Sequence, residues 1–109
     1  RLGARSYEVG ATLETLGNLR YRQGALGEAD RCLSSALAIQ EERLGRGHPE
    51  LAFALHNLGV VRVERGRKAE GRALLERSLR TFTRVVGAGH PNTLAVRARL
   101  AELKERRKL

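Results

Sequence analysis

The stretch "GRGHP" at residues 45–49 returns as "GAGHP" at residues 87–91, a displacement of 42 residues that takes up both prolines of the chain. The same displacement lays Leu13 on Leu55, Leu16-Gly17 on Leu58-Gly59 and Gly24 on Gly66. It also lays Glu28 on Glu70, Leu33 on Leu75 and Leu37 on Leu79. These coincidences fall on apolar positions at helical spacing and on Gly and Pro punctuation. A fixed period of this size means one supersecondary unit stacked on its copy, each burying the apolar face its neighbour leaves open. Little else in a chain of 109 residues constrains the fold so tightly.

Each unit reads as two helices. In "YEVGATLETLGNLRYRQ" (7–23), Val9, Leu13, Leu16 and Leu19 recur at three and four, the stripe of one helical face. Gly24 ends that stretch and "ALGE" turns the chain. In "EADRCLSSALAIQEERL" (28–44) the stripe continues through Ala29, Leu33, Ala36, Leu37 and Leu44, and Gly45 follows as an expected left-handed cap. The second unit predicts helices over 49–65 and 68–86, and a fifth covers 91–109. Pro49 and Pro91 are expected at the first helical position, where the fixed φ suits the helix and no hydrogen bond needs the missing N–H. His48 and His90 then stand where an imidazole can accept from a free backbone N–H. The organisation expected is one unit over 1–109, with repeat one about 7–45, repeat two about 49–87 and a capping helix about 91–108.

Composition narrows the chemistry. With two Tyr, two Phe and no Trp, the core must be built from Leu, Ala and Val. The one cysteine, Cys32, excludes an internal disulfide, and no His-plus-acid constellation marks it as a nucleophile. His48, His56 and His90 carry no Cys or carboxylate at ligand spacing, so no metal is expected. "QEERLG" reads as a solvated helix end, and no phosphate loop, Gly-rich fingerprint or zincin motif is present. Neither catalysis nor a cofactor is expected. The longest apolar run, "LAFAL", cannot cross a bilayer, and no secretory pattern opens the chain, so a cytoplasmic location is expected. The balance of 18 Arg and 3 Lys gives a formal charge of +9, which suits an acidic partner.

Leu-Gly early in the first helix, Gly at the turn, and Ala then Leu down the second resemble tetratricopeptide (TPR) repeats. The stretch "ALAIQEERLGRGHPELAFALHNLG" resembles the longer variety of kinesin light chains, with its 42-residue spacing and "LG…HP" joint. The resemblance covers essentially the whole chain. Its packing signature falls on Leu13, Leu16, Gly17, Gly24, Ala29, Leu33 and Ala36, then on Leu55, Leu58, Gly59, Gly66 and Leu75, with departures at Gly71 and Ser78. It implies an all-α, right-handed superhelical solenoid of antiparallel hairpins, here five helices. It also implies a non-catalytic scaffold that holds a protein, as a peptide or helix, in a concave groove.

By the same resemblance, the groove positions are Ala11, Glu14, Asn18, Tyr21 and Arg22 in the first unit. Phe53, His56, Asn57, Val60 and Glu64 follow in the second, and Ala95, Arg99, Glu102 and Arg106 in the last helix. Asn57 ranks first, because its amide matches one that bonds the backbone of an extended peptide in this family. Asn18 and Arg99 match positions that clamp a carboxylate in some of these domains. Glu14 and Ala95, however, replace two lysines of that clamp, and Glu14 would repel a carboxylate.

Departures from the family pattern carry expectations too. Arg20 and Arg62 stand where a tyrosine is usual, and Glu28 and Glu70 are the nearest candidate partners. Gly71 in place of alanine is expected to soften the second unit by about 0.5–1 kcal/mol. Residues 1–3, "RLG", match 43–45 and imply a hairpin upstream, whereas the polar "ELKERRKL" suits an array that closes near Leu109. The alternative to peptide binding is a structural role, stacking on further repeats or on itself. A third reading is a basic convex face (Arg31, Arg43, Arg72, Arg77, Arg80, Arg84, with Lys104, Arg106, Arg107 and Lys108) that meets an acidic partner or nucleic acid. Groove charges nearly cancel and no aromatics interleave to stack bases, which places nucleic acid last.

Overall fold

Glycine sets the chain's changes of direction, and a helix forms at each of the five predicted places. The computed structural model describes residues 4–108, with side chains over residues 6–105. Residues 1–3, and the side chains of Arg106, Arg107 and Lys108, lie outside what is described. The described residues form α1 (Ala4–Arg22), α2 (Leu26–Leu44), α3 (Leu51–Glu64), α4 (Lys68–Val86) and α5 (Pro91–Lys108), with no strand among them. The chain is an all-α helical repeat.

The two joints follow one plan. Gly45 and Gly87 both stand at φ 92°, with ψ 151° and 161°. That is not the left-handed helical cap expected from sequence. It is the region of positive φ with ψ near 150–180°, which is essentially restricted to glycine. Gly87→Ala should therefore lower stability by about 1–2 kcal/mol. Urea unfolding with an unchanged midpoint would contradict this reading. After each glycine the histidine caps as expected. His48 Nδ1 accepts the Glu50 N–H at 3.1 Å, and His90 Nδ1 accepts the Asn92 N–H at 3.1 Å.

The prolines differ. Pro91 opens α5 as expected, but α3 begins only at Leu51, two residues after Pro49. There the Leu51 N–H reaches His48 O at 3.0 Å and the Ala52 N–H reaches Pro49 O at 3.1 Å, the tighter spacing of a 3₁₀ turn. Leu51 and its counterpart Thr93 are both fully buried, and Thr93 donates its hydroxyl back to Gly87 O at 2.8 Å.

Each hairpin packs on the next through the predicted leucines. Ala29, Leu33 and Leu37 of α2 meet Leu51, Ala54, Leu55, Leu58 and Val61 of α3. A second cluster joins Ala52 and Val60 of α3, Leu75 and Phe82 of α4, and Val96 and Leu103 of α5. Within the second hairpin α3 and α4 touch at Gly59 and Gly71. A Cβ on Gly71 would lie 2.5 Å from Val63 Cγ2 and 2.7 Å from the Gly59 carbonyl oxygen. Against the helix penalty expected of Gly71 stands this packing, because its bare backbone permits the close approach. Ser78, the other departure, is fully buried and donates to Ala52 O at 2.8 Å, bonding α4 to α3.

Both anomalous arginines find their expected acids. Arg20 lies 3.7 Å from Glu28, and Arg62 lies 3.1 Å from Glu70. The stronger partner is one that repeat comparison does not reveal. Buried Asp30 binds Arg62 at 2.9 Å and Arg65 at 3.0 Å, while Ser34 Oγ donates to its other oxygen at 2.9 Å. Burial alone would raise the Asp30 carboxyl, but hydrogen bonds from Arg62, Ser34 and Arg65 outweigh it and hold the group below its ordinary range. The convex basic face also needs correction. Arg77 binds Glu41 at 2.8 Å and ties α4 to α2, Arg84 donates to Gly47 O at 2.7 Å, and Arg43 lies over the Tyr7 ring.

Candidate binding face

The odd-numbered helices converge on one side. Asn18 and Tyr21 are one turn apart on α1, and His56, Asn57 and Val60 occupy adjoining turns of one face of α3. With Arg99 of α5 they enclose a cavity of about 140 Å³ floored by Leu33 and Val61. The family resemblance implied these six among its groove positions, and in the structure all six line this one cavity. The floor was missed, although Leu33 and Val61 sit in the leucine stripe that the helical period displays.

Side-chain bonds hold the cavity's rim. Tyr21 donates its hydroxyl to Glu64 at 2.7 Å, and Arg99 lies 3.9 Å from Glu64 and 3.8 Å from Glu102. Burial, and then Glu64, raise the Tyr21 pKa, so the phenol stays a neutral donor. Because Glu64 and Arg99 face each other, the rim carries little net charge. By contrast, among the described residues neither the Asn18 nor the Asn57 amide makes a hydrogen bond or ion pair within the chain. Both are half-buried and line the cavity with their amides open to a ligand.

His56 is half-buried, and burial, followed by the charge of Arg99, lowers its pKa below 6.5. The imidazole is therefore neutral at pH 7. The unfolded chain binds the His56 proton more tightly, so stability should fall as pH drops from about 6.5 toward the lowered value and level off below it. Comparing melting temperatures of the chain and His56→Asn between pH 7.5 and 5 checks this, and the variant should show a shallower decline. Equal slopes would rule it out.

Other groove positions go elsewhere. Glu14 accepts from Gln40 Nε2 at 2.9 Å and lies with Ala11 and Phe53 in a separate hollow of about 400 Å³. Phe53 is half exposed, its ring set edge-on to Phe82 at 5.1 Å. Arg22 and Ala95 are exposed and line neither hollow, and the Arg106 side chain lies outside the described residues. Among the described residues no three of His, Cys, Asp and Glu gather as metal ligands would, and no helix is long and apolar enough to cross a membrane.

A helical-hairpin array with a lined face between its first helices is the architecture of a repeat scaffold, and comparison with known families agrees. A tetratricopeptide repeat model matches residues 8–70 and a second one matches residues 52–92. The chain belongs to the tetratricopeptide repeat family. A search of curated proteins found no significant match. Repeats of this family generally mediate protein–protein interaction and serve as non-catalytic scaffolds.

Proposed function

We propose that the chain is a cytoplasmic interaction scaffold of the kinesin-light-chain-like type, which holds a peptide or helix of a protein partner across α1, α3 and α5. The observation that carries this is the pair of unbonded amides, Asn18 and Asn57, at a cavity with an apolar floor. A peptide backbone offers N–H and C=O groups in alternation, and an amide answers both. Tyr21, Val60 and Phe53 give shape. Arg22 and Arg99, set against Glu14 and Glu64, select charge on the partner.

The test begins with a peptide selected from a displayed random library against the intact chain. Calorimetry should show Asn57→Ala weakening its binding by roughly 1–2 kcal/mol, the worth of one or two hydrogen bonds, with melting unchanged. Arg80→Ala, on the exposed side of α4, should leave affinity as it was. Arg77 does not serve as that control, because its bond to Glu41 joins two helices. If Arg80 matters and Asn57 does not, the convex side is the binding surface.

A further inference from the structure

Two exposed aromatic side chains, Tyr7 and Phe53, line the hollow of about 400 Å³ between α1 and α3, which Gln40 of α2 backs. Stacking of hairpins does not cover them. Pro49, one repeat after Tyr7, stays exposed beside a complete upstream hairpin. Phe53 lies in α3, between α1 and α5, and is still half exposed. The same interval one repeat later, between α3 and α5, shows what closes such a hollow. There Ala11 becomes Phe53 and Gln40 becomes Phe82, and the two rings meet edge-on at 5.1 Å. In the first interval Ala11 supplies no ring, so the space beside Gln40 stays open.

The polar lining favours a cationic donor. Glu14 and Glu50 both line the hollow, and among the described residues neither forms an ion pair. Glu14 accepts the Gln40 amide N–H at 2.9 Å, which leaves Gln40 Oε1 buried without a hydrogen-bond partner. A buried acceptor of this kind is costly until a donor reaches it. In the later copy His56 and Asn92 replace the two carboxylates, so the repeat packs without them. One ring of the hollow already holds a guanidinium, since Arg43 lies over Tyr7 at 5.2 Å.

We propose that this hollow takes an arginine side chain of the protein partner, a proposal that rests on the peptide-binding reading above. The guanidinium packs on Phe53 and donates to Glu14 and Glu50, with Gln40 Oε1 as a further acceptor. Arginine suits the hollow better than lysine, because a planar fork of donors serves several acceptors at once and lies flat on a ring. An acidic side chain would meet two carboxylates of like charge. The chain as a whole carries +9, so the hollow is a local exception. An arginine drawn here and repelled elsewhere fixes the register of the peptide that carries it.

N-acetyl-arginine amide, titrated into the intact chain and followed by NMR, tests the hollow without a peptide. Saturable shifts are expected at Glu14, Phe53 and the Gln40 side-chain amide, with Asn18 and Asn57 unmoved. The citrulline counterpart, which keeps the shape and loses the charge, should bind at least about fivefold more weakly. The lysine counterpart should also bind more weakly. E14Q/E50Q should weaken arginine binding by about fivefold or more, and E50Q alone, at an exposed position, by about twofold. The same spectra show that each variant is folded. Asn57→Ala should leave arginine binding unchanged. No saturable shift at the hollow, citrulline or lysine binding as well as arginine, indifference to both Glu variants, or a loss with Asn57→Ala would each overturn the proposal. A library-selected peptide that loses affinity with Asn57→Ala would still uphold the wider reading, so the two can fail separately.

Discussion

Asp30→Ala is expected to destabilise the chain by about 3 kcal/mol, the lower end for breaking a buried ion pair. Asp30 is 5% exposed and receives two guanidiniums and a hydroxyl. Removing it leaves Arg62 and Arg65 side by side with like charge where three helices meet. Their side chains keep 21% and 32% exposure, so water recovers part of the loss, which sets the effect at that lower end. For a domain of this size the melting temperature should fall by roughly 10–20 °C. Acid titration supplies a second readout. Because the folded carboxyl titrates below its ordinary 3.8, its stabilisation is present above that pH and fades as pH falls through the folded value. Asp30→Asn should lose that acid limb while retaining more stability than Asp30→Ala. A loss under about 1 kcal/mol would mean the pair is worth no more than a solvated one.

Gly71→Ala is the second large effect, and here two terms oppose each other. Alanine favours the helix by about 1 kcal/mol over glycine. Its Cβ, however, would lie 2.7 Å from the Gly59 carbonyl oxygen and 2.9 Å from Val63 N, both backbone atoms that cannot rotate aside. The helices must separate, loosening Leu75 against Gly59 and the Ser78 bond to Ala52. Overpacking of this kind typically costs 1–3 kcal/mol, and we expect a net loss of about 2 kcal/mol. Chemical denaturation decides the sign. A stabilised variant would restore the view that Gly71 is merely a helix defect.

The hairpins were legible because the period repeats every structural marker twice. Arg20 with Glu28 and Arg62 with Glu70 were legible for the same reason, both pairs sharing one offset. Asp30 was not, since its counterpart is Arg72 and a lone acid in a helix reads as solvated. Arg77 was misjudged because its partner Glu41 belongs to the neighbouring hairpin, whose facing residues no local pattern reveals. Pro49 shows the limit on boundaries, for the same His-Pro pair opens a 3₁₀ turn at the first joint and an α-helix at the second. In the candidate site, Asn18, Tyr21, His56, Asn57, Val60 and Arg99 followed from the family resemblance, since helical period alone does not say which polar face a partner would meet. Glu14 and Phe53 instead line a separate hollow with Gln40 of α2, whose bond to Glu14 crosses between helices and is not encoded by the repeat period.

The binding face is tested most directly by amide NMR of the chain with and without a library-selected peptide. A ligand held across α1, α3 and α5 should give its largest shifts at Asn18, Tyr21, His56, Asn57, Val60 and Arg99, with the exposed side of α2 and the outer side of α4 nearly silent. Shifts concentrated at Arg31 and Arg80, with Asn18 and Asn57 unmoved, would contradict it.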